Sequence, residues 1–307
     1  GRWPRAAVGT AGARALLLLL LVASVAAAAK ESPGSVEWVR VRPERGGAGG
    51  GQTWVVIVDT SRYWLNYRHA TNALGLYQAA RARGVPDSRI VLMVAEDFAT
   101  NPRNVHHNQL FADRDLTLDV HAGKVTVDYT GDDVSVETLT RVLTGRQDPS
   151  TPRAKTLGSD AGSDVFFYIT GHGGENFMKF QDNEQMLGED VADVVAEMHR
   201  LGRFGRLTLV VDTCKAATFC QHIDTPGVAC LASSLRGQNS YSKHGSTVVG
   251  NTLIDEMSHA LMTYLSKRDA DTSLGAVFRE MQRRQVLSTP FLQTAENGTQ
   301  SAKAALL

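Results

Sequence analysis

Five short runs along the chain are apolar at nearly every position rather than at every second one: 54–58 (WVVIV), 90–94 (IVLMV), 165–169 (VFFYI), 207–211 (LTLVV) and 228–232 (VACLA). Strands covered on both sheet faces show such unbroken runs, whereas half-exposed strands alternate. Between and beyond them lie amphipathic stretches with helical spacing, at 68–83, 134–143, 189–200, 252–267 and 274–284. Strands alternating with helices predict an α/β domain, its mostly parallel central sheet flanked by helices on both faces. The segments 116–120 and 125–129, joined by the polar 121–124 (HAGK), predict an inserted hairpin.

The pattern changes outside this region. Arg2, Arg5 and Arg14 precede an apolar run over 15–29 that ends in small residues before Lys30, the order of a cleavable secretory signal peptide over 1–29. Fifteen apolar residues are short for a bilayer span. The first residue is not Met, so an incomplete N-terminus is expected. Residues 30–51 are polar and end in GGAGGG, a flexible linker. The domain is expected over 52–290, followed by a polar tail over 291–307 with one glycosylation sequon at Asn297.

Composition narrows the function classes. The 307 residues are 43% hydrophobic, enough for one sizeable core, and 32 basic side chains balance 32 acidic ones. Nothing in that balance favours nucleic acid. Three cysteines, Cys214, Cys220 and Cys230, make no dense disulfide framework in a secretory chain, and their odd number leaves one unpaired.

Two of the strands run straight into chemistry. The run at 165–169 continues into Thr170-Gly171-His172-Gly173-Gly174, and the run at 207–211 into Asp212-Thr213-Cys214. Open parallel sheets bind ligands beyond the carboxyl ends of their strands. A thiol becomes a strong nucleophile as the thiolate, which an adjacent imidazole favours, and the same imidazole can protonate a leaving amine. Glycines beside His172 let backbone N–H groups approach a developing oxyanion. Alternatives remain open. A free cysteine is often a small buried hydrophobe, and Cys214, Cys220, His222 and Cys230 invite a metal reading but lack the paired spacing of zinc modules. Asp212, on the same side of its strand as Cys214, reads as part of a substrate pocket, with Arg68 as its facing partner.

These residues also carry a family resemblance. The segments 170–182 (TGHGGENFMKFQD) and 211–214 (VDTC), with 66–69 (NYRH), 84–88 (GVPDS), 101–104 (NPRN), 142–146 (VLTGR), 150–153 (STPR) and 231–234 (LASS), resemble the GPI-transamidase branch of the legumain-like cysteine peptidases, family C13. The resemblance runs from about residue 54 to 290 and implies a caspase-like fold. It implies Cys214 as nucleophile, His172 as general base and acid, Asn66 orienting the imidazole and Gly173 N–H in the oxyanion hole. Asp212, Arg68, Ser233, Ser234 and Ser240 would bind the residue at the cleavage point. The reaction implied removes the C-terminal GPI signal of a substrate protein, holds the rest as a thioester and passes it to the phosphoethanolamine amine of a GPI glycolipid.

No cofactor is required for that chemistry. The resemblance does imply a structural calcium ion near Asp87, the Ile90 carbonyl and Asp128, although Thr126 replaces an acidic member of the set. It further implies the lumen of the endoplasmic reticulum and a membrane complex with other transamidase subunits. Many relatives end in a membrane helix, whereas residues after Pro290 are polar or small. Attachment through partners, or a truncated C-terminus, accounts for that difference. Thr100 stands where some relatives carry a tethering cysteine, so association is expected to be non-covalent. The rival readings are a legumain-type endopeptidase and a catalytically silent subunit.

Overall fold

The computed structural model describes residues 52–123, 125–267, 273–284 and 287–294. The expected signal peptide, linker and Asn297 sequon lie outside these residues. The described chain begins with β1 (Thr53–Asp59), followed by helix α1 (Tyr67–Ala82), β2 (Ile90–Val94), β3 (Tyr129–Thr130) and α2 (Val136–Thr144). Strand β4 (Asp164–Thr170) leads into three short strands, β5 (Gly173–Gly174), β6 (Phe177–Phe180) and β7 (Glu184–Leu187), and then α3 (Gly188–Arg200). Strand β8 (Arg206–Asp212) is followed by the short α4 (Ala217–Cys220) and β9 (Val228–Ala232). The described chain closes with β10 (Ser242–Ser246), β11 (Asn251–Asp255), α5 (Glu256–Leu265), α6 (Leu274–Arg284) and β12 (Phe291–Thr294).

Seven strands form the central sheet in the order β12-β9-β8-β4-β1-β2-β3. All neighbours run parallel except β12, which is antiparallel to β9. The fold class expected from the apolar runs is therefore present. Its two faces have separate cores, because successive strand residues point to opposite sides. Val55, Ile57, Phe166 and Tyr168 pack with Leu74, Tyr77, Met257, Leu261 and Val277, on the side of α1, α5 and α6. Val56, Val58, Phe167, Ile169 and Leu209 pack with Leu139, Val142, Val191, Val195 and Phe219, on the side of α2, α3 and α4. Helix α2 shows how local signals set its bounds. The Ser135 side chain caps it by accepting from Thr138 N, and Gly145 ends it at φ 69°, a conformation that glycine adopts without a Cβ penalty.

Three expectations need correction. The helix read over 252–267 is a strand followed by a helix: Leu253 and Ile254 belong to β11, which pairs with β10, and α5 starts only at Glu256. Asp255 occupies the N-cap position but makes no capping bond, its carboxylate being drawn to Arg68 and Asn72 instead. The described residues of 116–129 form no hairpin. Asp113 and Asp119 accept backbone N–H groups from 117, 118, 110 and 121, folding the first half into turns, while Tyr129 and Thr130 join the central sheet beside β2. The domain boundary at 290 falls one strand short, because Phe291–Thr294 hydrogen-bonds to β9 as the sheet's edge.

Candidate active site

The parallel register of β4 and β8 sets Thr170 beside Asp212. His172 and Cys214 each follow two residues later, leaving the same edge of the sheet. The turns that carry them interlock. Thr213 Oγ1 donates to the Gly171 carbonyl at 2.9 Å. A Cβ at Gly173 would come within 2.6 Å of that same hydroxyl, so only glycine fits there. Cys214 is half-exposed, and it is the free cysteine among the described residues. Its Sγ points toward the Ser240 carbonyl at 4.0 Å. The neighbouring Lys215 adopts φ 57° and starts the turn into α4.

Asn66 Oδ1 lies 2.8 Å from His172 Nε2. The other end of the amide is fixed, since Nδ2 donates to the Arg62 carbonyl at 2.6 Å. The oxygen must then face the ring, so Nε2 carries the proton and Nδ1 keeps its lone pair. Backbone contacts hold Asn66 in place: its N–H donates to the Tyr63 carbonyl, and Tyr63 N–H donates to Glu96. Burial, then the Arg68 charge, lowers the His172 pKa below its ordinary value. The imidazole is thus neutral and can accept a proton. His69 stands edge-on to it, with ring centres 5.0 Å apart.

A buried carboxylate pair lies below. Asp212 accepts from Ser240 Oγ at 2.9 Å and from Ser258 Oγ at 2.6 Å, and burial raises its pKa. Arg68, expected to face Asp212, binds Asp255 instead, with Nε 3.1 Å from Oδ1. Asn72 Nδ2 donates to the second Asp255 oxygen at 2.6 Å. Burial, then Asp212, pushes Asp255 up to about 7. His69 Nε2 is 3.6 Å from Asp255, but burial and Arg68 hold that ring well toward the neutral form, so the contact is no ion pair. Its Nδ1 meets Ser61 Oγ at 2.8 Å. The apolar spacing around Asp255 reads as a helix and so hides it in the sequence. The acidic residue at a strand end, the signal used for Asp212, would have found it.

Ser240 is half-exposed, with its hydroxyl on Asp212 and its carbonyl toward the thiol. Ser233 and Ser234, expected in the substrate pocket, are fully buried. Both hydroxyls donate to the Thr213 carbonyl, at 3.0 and 2.9 Å, and they accept from Thr213 N–H and Ala216 N–H respectively. These bonds brace the cysteine turn, and the Ser233 hydroxyl also interacts with the Asp212 carboxylate. A disulfide joins Cys220 at the end of α4 to Cys230 in β9, which the sequence left unassigned. It disposes of the metal reading for those two thiols, since a disulfide sulfur offers no thiolate.

The residues named for calcium form an incomplete set. Asp87 accepts from the Tyr77 hydroxyl at 2.6 Å and Asp128 from Leu92 N–H at 2.9 Å. Burial, helped by Asp87, pushes Asp128 up to about 6. Such mutual repulsion suits a cation, but no group of three or more His, Cys, Asp or Glu gathers for a metal among the described residues. Two carboxylates already holding protein donors, plus one carbonyl, fall short of the shell of about six to eight oxygens that calcium takes. Thr100 is exposed and donates its hydroxyl to Asp97 at 2.6 Å.

A family model described as "Peptidase C13 family" matches residues 53–302. The GPI-anchor transamidase of Homo sapiens is 39% identical over 239 residues, covering 77% of this chain and 60% of the relative. That of Schizosaccharomyces pombe is 39% identical over 215 residues, covering 70% of this chain and 57% of the relative. That of Saccharomyces cerevisiae is 38% identical over 221 residues, covering 72% and 54%. The chain therefore aligns with 54% to 60% of the length of these three relatives.

Proposed function

Because the chain belongs to the peptidase C13 family, with its caspase-like α/β fold, we propose that it is the catalytic subunit of a GPI-anchor transamidase. A Cys214–His172 dyad carries the reaction. His172 Nδ1 removes the thiol proton as Sγ attacks the carbonyl at the attachment residue. Backbone N–H at Gly173 stabilises the oxyanion. As the tetrahedral intermediate collapses, the C–N bond breaks and the proton passes from His172 to the amine of the departing C-terminal segment. The retained protein is then a thioester on Cys214. The phosphoethanolamine amine of a GPI glycolipid attacks it, His172 takes the amine proton, and the thiol leaves and recovers that proton. One amide replaces another, so thiol, imidazole and amine suffice and no cofactor enters. The observation that carries this reading is the doubly anchored Asn66, which fixes the proton on Nε2 and leaves Nδ1 as the base.

The substrates implied, a protein with an apolar C-terminal signal and a glycolipid, both sit at a bilayer. No helix among the described residues is long and apolar enough to cross one. Partner subunits in the endoplasmic reticulum membrane, held non-covalently, bring the substrates to Cys214. The Cys220–Cys230 disulfide supports an oxidising lumen, and the Thr100 hydroxyl offers no covalent tether at that position.

Aminolysis tests the proposal. The assembled enzyme, given a peptide with a C-terminal GPI signal and hydrazine, should release the upstream fragment as its hydrazide. Free acid alone at every hydrazine concentration would make the chain a legumain-type endopeptidase, and no cleavage at all would make it a silent subunit.

A further inference from the structure

We propose that His244 and His259 form a two-imidazole site for a divalent transition metal such as zinc or nickel, clamping the β10–β11 hairpin to helix α5. The site lies outside the chemistry described above and does not depend on it. The Nε2 atoms of the two rings are 3.2 Å apart. Two imidazole nitrogens on one tetrahedral zinc, each about 2.0–2.1 Å from the ion, are separated by about 3.3 Å. The ring centres are 4.7 Å apart and the planes cross at 69°. That centre distance is shorter than an end-to-end meeting of two rings through Nε2 atoms 3.2 Å apart would give. The rings therefore meet at an angle rather than end to end, with their nitrogens within hydrogen-bonding distance of each other.

The two ligands come from different elements and are held ready. His244 interrupts the β10–β11 ladder: Lys243 pairs with Ile254 and Gly245 with Thr252, while His244 itself takes φ 58°. His259 rises from the first turn of α5. Both side chains are half-buried, reachable from solvent yet partly desolvated. Burial lowers the pKa of both rings, as expected for imidazoles that need not lose a proton to bind. The charges around them, Lys243, Arg114 and Arg284 against Asp113 and Asp115, nearly balance. No third His, Cys, Asp or Glu completes a cluster among the described residues, so water fills the remaining positions. Paired imidazoles select zinc, nickel or copper over the hard cations calcium and magnesium.

The clamp adjoins the candidate active site. Ser240, two residues before β10, holds its carbonyl toward Cys214 Sγ and its hydroxyl on Asp212, and Ser258, beside His259, donates to the same carboxylate. Joining hairpin to helix fixes the two elements that supply those hydroxyls.

Calorimetric titration of the full chain with nickel chloride, Cys214 intact throughout, tests the site. One stoichiometric equivalent is expected. Removing an outer-shell partner already costs a metal site about 10–100-fold, so His244→Gln and His259→Gln should each weaken binding at least tenfold. A His106→Gln/His107→Gln control should bind as the wild type does. A second measurement needs no variant: nickel should protect His244 and His259, and not His106 or His107, from acylation by diethyl pyrocarbonate, read by peptide mass spectrometry. Equal binding by both single variants, or equal acylation of the pair with and without nickel, would show a plain imidazole–imidazole contact and overturn the proposal.

Discussion

The Asn66 side chain bridges the Arg62 carbonyl and His172 Nε2, at 2.6 and 2.8 Å, so one amide decides which imidazole nitrogen carries the proton. Asn66→Ala removes both contacts and frees the ring to adopt the other tautomer. The expected loss in kcat is roughly 10²-fold, the low end for general acid–base catalysis, with KM little changed. Asn66→Asp keeps an acceptor but adds negative charge, which raises the His172 pKa. Steady-state kinetics of both variants check this, and an Asn66→Ala enzyme with normal kcat would remove Asn66 from the mechanism.

The pH profile follows from the same ring. Burial, then Arg68, holds His172 below its ordinary value of 6.5. The base must be neutral to accept a proton, so the acid limb of kcat/KM should have its midpoint below 6.5. Arg68→Gln removes one lowering influence and should move that midpoint upward. Stability obeys the matching sign. Between the folded pKa and 6.5 the unfolded chain binds the His172 proton better, so this contribution is full above 6.5 and is lost as pH falls through that window. A limb unmoved by Arg68→Gln would exclude the electrostatic link.

Ser234→Ala separates bracing from substrate binding. The hydroxyl donates to the Thr213 carbonyl and accepts from Ala216 N–H. Its removal strands buried polar groups at about 1–3 kcal/mol and loosens the turn that presents Cys214. Denaturant unfolding should show that loss, with kcat falling more than KM rises. Unchanged stability with a raised KM would return Ser234 to the substrate pocket.

Reducing the Cys220–Cys230 bond, or Cys230→Ser, opens the loop between α4 and β9. Chain-entropy reasoning for a loop of this length gives about 3 kcal/mol. The melting temperature should drop, while turnover well below that temperature stays near normal because neither sulfur touches the dyad. A loss of turnover without a loss of stability would assign the bridge a part in the chemistry.

Much of this was legible in the sequence, because the runs at 90–94 and 228–232 are apolar at every position and the strands match them residue for residue. The strand-end placing of His172 and Cys214 followed from the same pattern. What escaped depends on contacts distant in sequence. Thr252, Leu253 and Ile254 suit a strand or a helix equally until β10 is there to pair with them, so Asp255 and its bond to Arg68 stayed hidden. Ser233 and Ser234 lie close to Cys214, but only the depth of burial separates a brace from a pocket wall. Phe291–Thr294 is short and mixed in polarity, and its identity as a strand comes from the free edge of β9.

The central claim, that Cys214 Sγ carries the substrate as a thioester with His172 as its base, is met most directly by intercepting the covalent intermediate. The assembled enzyme would be mixed with a GPI-signal peptide in the absence of any amine acceptor, quenched in acid and digested, and the acylated residue located by mass spectrometry. The account predicts the upstream fragment on Cys214, released by neutral hydroxylamine, absent from Cys214→Ala and strongly reduced in His172→Ala. An adduct on another residue, or product formation by Cys214→Ala, would contradict it.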